Sequence, residues 1–255
     1  MTRFISPGIF NNYTYSKKWH VELFQENEYD VELYGAKIDH KNCDLKVYQD
    51  LLTFSFIKQN IKEGSKILEI GGGQSRVLDY FKDTYECWNI DKLEGFGNGP
   101  TKIDSEGVNI VYDYMGNFNK HLKPEYFDFV FSISALEHTD VGNNLNYQNI
   151  LDDINRVLKP EKYSLHSVDQ CIDDVSGFPD AKDEEIIVWV NPVIEYLFDN
   201  QKMENTYVHL LKIMRDPELF FMSEKYYADN WEAVTGKPYS EFGLAMSYNF
   251  LWKKM

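Results

Sequence analysis

Apolar residues recur at helical spacing across residues 45–61, where Val47, Leu51, Phe54 and Ile57 form one stripe. That period predicts a helix with one buried face, and Gly64 beyond it suits a helix stop. The pattern then shortens. Residues 66–70 are a brief apolar run ending in Gly71-Gly72-Gly73, the form of a strand entering a tight turn. Residues 75–81 predict a helix, 85–90 a second strand, 108–112 a third and 127–132 a fourth. Residues 144–158 bring Tyr147, Ile150, Leu151, Ile154 and Leu158 to one helical face. Pro160 stops that helix, and residues 163–168 form a fifth strand.

Strands alternating with helices at this spacing predict an α/β fold, a doubly wound and mostly parallel sheet covered on both faces. Residues 218–222 and 244–252 supply a sixth and a seventh strand. Ligands of such sheets bind beyond the carboxyl ends of the strands, where strand order reverses. The last third departs from the alternation. Residues 184–215 read as helix broken at Pro192, and residues 176–220 are longer than a simple crossover, so an inserted cap is expected. The first 45 residues, rich in Tyr, Phe and Asn, are expected to fold over the same end as a lid.

Composition removes several function classes. The 255 residues are 43% hydrophobic and 16% aromatic, which is globular rather than disordered. Their 26 Lys+Arg against 41 Asp+Glu leave a formal charge of -15. Such a surface repels phosphate backbones, and no dense basic patch offsets it, so a small-molecule partner is expected and a nucleic acid is not. Cys43, Cys87 and Cys171 lie far apart with no paired metal spacing, which suits a reducing compartment. Neither a signal peptide nor a membrane-length apolar run is present, and the protein reads as cytoplasmic.

The candidate chemistry gathers at strand ends. Glu69 stands near the end of the first strand of the alternating run, before Gly71, Gly72 and Gly73, whose missing Cβ atoms let backbone approach a ligand. Asp91 ends the next strand, roughly 20 residues further on, placed to accept ribose hydroxyls. A nicotinamide dehydrogenase would want glycine where this chain has Arg76.

In order and spacing, LEIGGGQS, CWNID, VYDYMGN, FDFVFSISALEHT and INRVLKP resemble successive motifs of class I S-adenosylmethionine-dependent methyltransferases. The resemblance covers about residues 45–170 and implies the Rossmann-like methyltransferase fold with S-adenosylmethionine as cofactor. It implies that Glu69 and the backbone of Gly71, Gly72 and Gly73 hold the methionine part, and Asp91 the ribose. Asp113, beside Tyr114, would meet the adenine amino group, and Ser132 would lie near the methionine tail. The chain then divides into a lid (1–45), a cofactor-binding methyltransferase core (46–175), and a substrate cap with the final core strands (176–255).

Methyl transfer to an alcohol needs alignment and a base. After the fourth strand the chain offers Glu137, His138 and Asp140; after the fifth, His166, Asp169, Asp173 and Asp174. LHSVDQCIDD resembles an H-x-x-D segment of bacterial methyltransferases from surface-polysaccharide (capsule) genes, whose acceptors are sugars or nucleotide-linked sugars. That family has a second histidine where this chain has Asp174. The expectation is a sugar O-methyltransferase with His166 as base, Asp169 supporting it, and His138 catalytic or close to the cofactor. No metal is expected; the alternative is magnesium on His166 or Asp140 with Asp169 and Asp173. The rival readings are an N- or O-methyltransferase of another small, phosphorylated metabolite, and a non-catalytic cofactor-binding protein.

Overall fold

The computed structural model describes residues 4–5, 13–35, 38–39, 41, 43–95, 99–104, 106–139, 144–172, 193–194, 196, 206–239 and 244–255. Its centre is a seven-stranded sheet. The strands are β1 (Phe4–Ile5), β2 (Lys66–Ile70), β3 (Glu86–Ile90), β4 (Val108–Val111), β5 (Phe127–Ile133), β6 (Leu158–Ile172) and β7 (Leu244–Lys254). They lie in the order β1-β7-β6-β5-β2-β3-β4. Pairing is parallel from β6 through β5, β2 and β3 to β4, and antiparallel where β7 joins β6 and β1 joins β7. From β2 the chain steps outward through β3 to β4, then returns to the other side of β2 with β5. The carboxyl end of β2 is therefore a switch point, where diverging connections leave a crevice.

Both faces of the sheet are buried, which accounts for apolar runs without strict alternation. Successive strand residues go to opposite cores. Ile67, Phe129, Phe131 and Leu165 pack with Phe54, Phe56 and Ile57 of the helix α3 (Leu45–Asn60). Leu68, Val130 and Trp252 pack with Ile150, Leu151, Ile154 and Val157 of α5 (Asn144–Val157). Asp44 caps α3 by accepting from the Lys46 N–H at 2.7 Å, and Ser75 caps the short α4 (Arg76–Phe81) by accepting from Leu78 at 3.0 Å. The helix α3 ends at Asn60, before Gly64, whose φ of +77° belongs to the turn into β2.

The sixth strand expected over residues 218–222 is not a strand of the sheet, whereas the expected seventh is β7. Residues 218–222 make one isolated bridge, Leu219 to Lys17. The N-terminal chain takes the ladder positions instead. Ser16 N–H donates to Ser247 O at 2.9 Å, Asn249 N–H to Thr14 O at 2.7 Å, and Phe220 N–H to Ser16 O at 2.9 Å. The two-residue strand β1 then covers the far edge of β7. Two short helices, α1 (His20–Glu26) and α2 (Val31–Tyr34), follow in the described part of the first 45 residues, with Phe24 and Tyr34 in the α3-side core. Beyond β6, α6 (Thr206–Met214) contributes Leu210, Leu211, Ile213 and Met214 to the other core. The helices α7 (Glu224–Asn230) and α8 (Glu232–Thr235) precede β7. The segment expected to break at Pro192 lies largely outside the described residues. Among those described, no helix is long and apolar enough to cross a membrane.

Candidate functional site

A cavity of about 1100 Å³ opens where the switch point requires it, lined by the turns after β2, β3, β4 and β5. The turn after β2 brings backbone closest. Gly71 and Gly73 have φ of +67° and +50°, a region that side-chain-bearing residues avoid. A Cβ on Gly71 would lie 2.7 Å from the Ala135 Cβ, and one on Gly72 would lie 2.7 Å from the Glu69 carboxyl carbon. The next strand locks this turn. Asn89 accepts from Gly72 N–H at 3.2 Å and donates to Gly73 O at 3.1 Å. Asp91 accepts from Gly73 N–H at 2.8 Å through one oxygen and from Leu93 N–H at 2.7 Å through the other.

Glu69 is buried at the cavity wall, with Oε2 unpartnered. Burial pushes its carboxyl up to about 8, the Ser75 hydrogen bond opposes this, and the charges of Asp50 and Asp91 add to it. An unsatisfied buried carboxylate beside a cavity is completed by a ligand that donates to it. With a glycine turn that a Cβ would crowd, these residues fit a cofactor carrying an ammonium group.

Asp113 lines the cavity beyond β4, and both its oxygens are engaged. Oδ1 accepts from Asn117 Nδ2 at 2.6 Å and Tyr114 N–H at 2.9 Å, and Oδ2 from Asn119 Nδ2 at 2.7 Å. Burial raises its pKa, but these bonds and the charge of Lys92 outweigh it and hold the group below the usual carboxylate range. Tyr114 lines the same wall, and its hydroxyl donates to Glu94. That bond first, then burial and the Glu94 and Asp91 charges, push the phenol up to about 12.

His138 ends a single 3-10 turn, Leu136–His138, after β5, and its exposed ring faces the cavity. Burial of its inner side and the Lys46 charge lower its pKa, while Asp169 opposes them. Behind it, Glu137 Oε1 accepts from the Ser134 hydroxyl at 2.7 Å and Asp169 N–H at 3.1 Å, while Oε2 is buried and unpartnered. Burial and then the Asp169 charge push the Glu137 carboxyl up to about 7. Asp169 accepts from Gln49 Nε2 at 2.8 Å and lies 3.7 Å from the Lys46 ammonium; Lys46 is on the cavity wall and Asp169 behind it.

Two expectations require correction. His166 is fully buried, sharing a 2.8 Å hydrogen bond with the Ser132 hydroxyl at Nδ1 and a second bond with Ser164 at Nε2. With both ring nitrogens occupied, and lying outside the cavity lining, it has no free nitrogen to act as a base. Ser132 is equally sealed, and Ile133, Ser134, Ala135 and Leu136 form the wall expected of it. Asp140, Asp173 and Asp174 lie outside the described residues. The sequence reading missed Lys46, Asp50 and Asn89. The Arg76 guanidinium pairs with Asp50 at 2.6 Å, and both residues line the cavity wall.

Residues 68–165 match the family described as Methyltransferase domain. No curated protein matches the chain. Among solved structures, a Haemonchus contortus phosphoethanolamine N-methyltransferase 2 in complex with S-adenosyl-L-methionine is 13% identical, with a TM-score of 0.45, covering 88% of this chain and 55% of that one. The chain thus spans about half the length of that enzyme. A TehB-like SAM-dependent methyltransferase from Corynebacterium glutamicum is 13% identical, with a TM-score of 0.42 and coverage of 92% and 98%. A Burkholderia thailandensis 1,6-didemethyltoxoflavin-N1-methyltransferase is 12% identical, with a TM-score of 0.42 and coverage of 81% and 79%.

The domain match over residues 68–165 lies on the strands and turns that build the Rossmann-like sheet and its cavity, the fold of a methyltransferase domain.

Proposed function

We propose that the protein is an O-methyltransferase acting on a hydroxyl of a small molecule, with His138 as the base. The observation that carries this reading is an exposed imidazole on the cavity wall whose pKa is lowered. At neutral pH such a ring is uncharged and able to take a proton. S-adenosylmethionine supplies a methyl group made electrophilic by its sulfonium. Glu69 and the Gly71–Gly73 turn hold the methionine end, Asp91 the ribose and Asp113 the base. His138 removes the hydroxyl proton, and Lys46 and Asp169 set the charge around the ring. Placing acceptor and base in one geometry supplies much of the rate.

A sugar or nucleotide-linked sugar in surface-glycan synthesis is the acceptor class that the segment His166-Ser167-Val168-Asp169 supports by resemblance. With His166 inside the sheet, Asp169 is the residue of that segment left to act at the site, through its charge on His138.

Turnover of pooled sugars and nucleotide sugars by the wild type and by His138→Gln tests the reading. The expected result is a fall in kcat of roughly 100-fold or more with cofactor Kd unchanged. Unaltered turnover in His138→Gln would point to a nitrogen acceptor that needs no base.

A further inference from the structure

The loop that carries Asp113 is held from behind by a buried carboxylate. Asp153, on α5, is fully buried, and its Oδ2 accepts from Gly116 N–H at 2.9 Å and Phe118 N–H at 3.0 Å. Its Oδ1 faces Arg156, with Nε at 2.9 Å and Nη2 at 2.7 Å. The same guanidinium donates to Leu122 O at 2.5 Å and Asn119 O at 3.2 Å. Four donors thus satisfy a buried charge, and each belongs either to the loop or to the cation that grips it.

The loop alternates. Gly116 and Phe118 turn their amides inward to Asp153, while Asn117 and Asn119 turn their side chains outward to Asp113. Gly116 and Phe118 hold φ of +100° and +54°, conformations that local preference alone does not maintain. The loop sits directly on α5, since a Cβ on Gly116 would come within 3.0 Å of the Ile150 nitrogen. Releasing the inward amides would rotate the outward ones away from Asp113.

We propose that Asp153 and Arg156 are positioning residues for cofactor recognition, fixing through this loop the orientation in which Asp113 selects a base edge that donates a hydrogen bond. This rests on the S-adenosylmethionine reading above. A clasped, ionised carboxylate accepts from an amino group and repels a carbonyl in its place, so it discriminates adenine from hypoxanthine. The buried pair reaches that selection without touching the ligand.

Titration calorimetry of the full chain with S-adenosylhomocysteine and with S-inosylhomocysteine is the test. The wild type is expected to prefer the adenine compound at least about tenfold. Asp153→Asn and Arg156→Lys should each cut that preference several-fold, as should Asn117→Ala, which breaks the outer clasp at an exposed site. If Asp153→Asn does not fold, Arg156→Lys, which keeps the charge and loses the fork, decides the matter. A folded variant of either α5 residue with wild-type preference, whatever its melting point, overturns the proposal. So does a wild type that binds both compounds equally. A folded wild type that binds neither overturns the cofactor reading itself, a result distinct from the other two.

Discussion

Ser132 and His166 stand opposite one another in the β5–β6 ladder, joined by a 2.8 Å hydrogen bond in the fully buried sheet. The Trp252 ring lies 5.3 Å from the imidazole, and Ser164 occupies the other nitrogen. Burial lowers the ring's pKa to about 3, so this histidine is neutral, and its work is packing. His166→Ala should therefore cost about 2–4 kcal/mol in urea unfolding, from the cavity and the orphaned hydroxyls. Folded variant should turn over as wild type does. Loss of turnover at unchanged stability would return His166 to the chemistry.

The same ring predicts an acid limb. Its folded pKa is depressed from 6.5, so the stability it contributes is present above that value and is lost as pH falls toward about 3. His166→Ala should unfold with a shallower dependence on pH below 6.5 than the wild type, as thermal melts across that range would show.

Glu69 gives the opposite sign. Its folded pKa of about 8 stands above the ordinary 4.5, so its contribution is present below 4.5 and is lost as pH rises through 8. Glu69→Gln should flatten the stability profile of the free protein between those values. A cationic ligand at Glu69 draws the carboxyl down again, so cofactor binding near pH 7.5 should release a fraction of a proton. Calorimetry in buffers of different ionisation enthalpy measures that release. Release that persists in Glu69→Gln would assign it to another group.

The glycine turn separates strain from access. Gly72 needs no left-handed backbone, yet its Cβ would press on Glu69. Gly72→Ala should leave the melting point within a few degrees and weaken S-adenosylmethionine binding by roughly tenfold or more, since it displaces the carboxylate and fills the cradle. Gly71→Ala adds a φ of +67° and the 2.7 Å contact with Ala135, so it should lose both stability and binding. Equal behaviour of the two variants would mean that Glu69 does not shape the site.

The sheet was legible because its signals are local: a short apolar run, a glycine turn, then a helix, repeated. Gly71, Gly72, Gly73, Asp91, Asp113, Tyr114 and His138 stand on turns after strands, Glu69 stands one residue before the end of β2, and the structure brings them all to one cavity. Ser132 and His166 stand within strands, where facing depends on register. With both faces of this sheet buried, no polar alternation tells which way such a residue points. Asn89, Asp50 and Asp153 act on partners 16 to 37 residues away, a pairing that only the folded chain displays. The strand β1 was missed, and 218–222 expected in its stead, for a related reason: two residues at the N-terminus carry no period at all.

Asp50 and Arg76 offer a last separation, of charge from packing. Asp50 is nearly buried and its carboxyl sits at about 6, raised by burial and held down by Arg76. Arg76 also lies over the Tyr34 ring, 6.0 Å from its centre. In Arg76→Met the packing stem remains while the cation is lost, and the Asp50 pKa climbs further. A raised folded pKa means stability lost as pH rises, so the variant should be destabilised by about 2 kcal/mol at pH 8 and by much less at pH 5. Adding Asp50→Asn should recover most of the loss at pH 8. Urea unfolding at both pH values decides: a loss that is equal at the two, and that Asp50→Asn leaves in place, would assign the role of Arg76 to its contact with Tyr34.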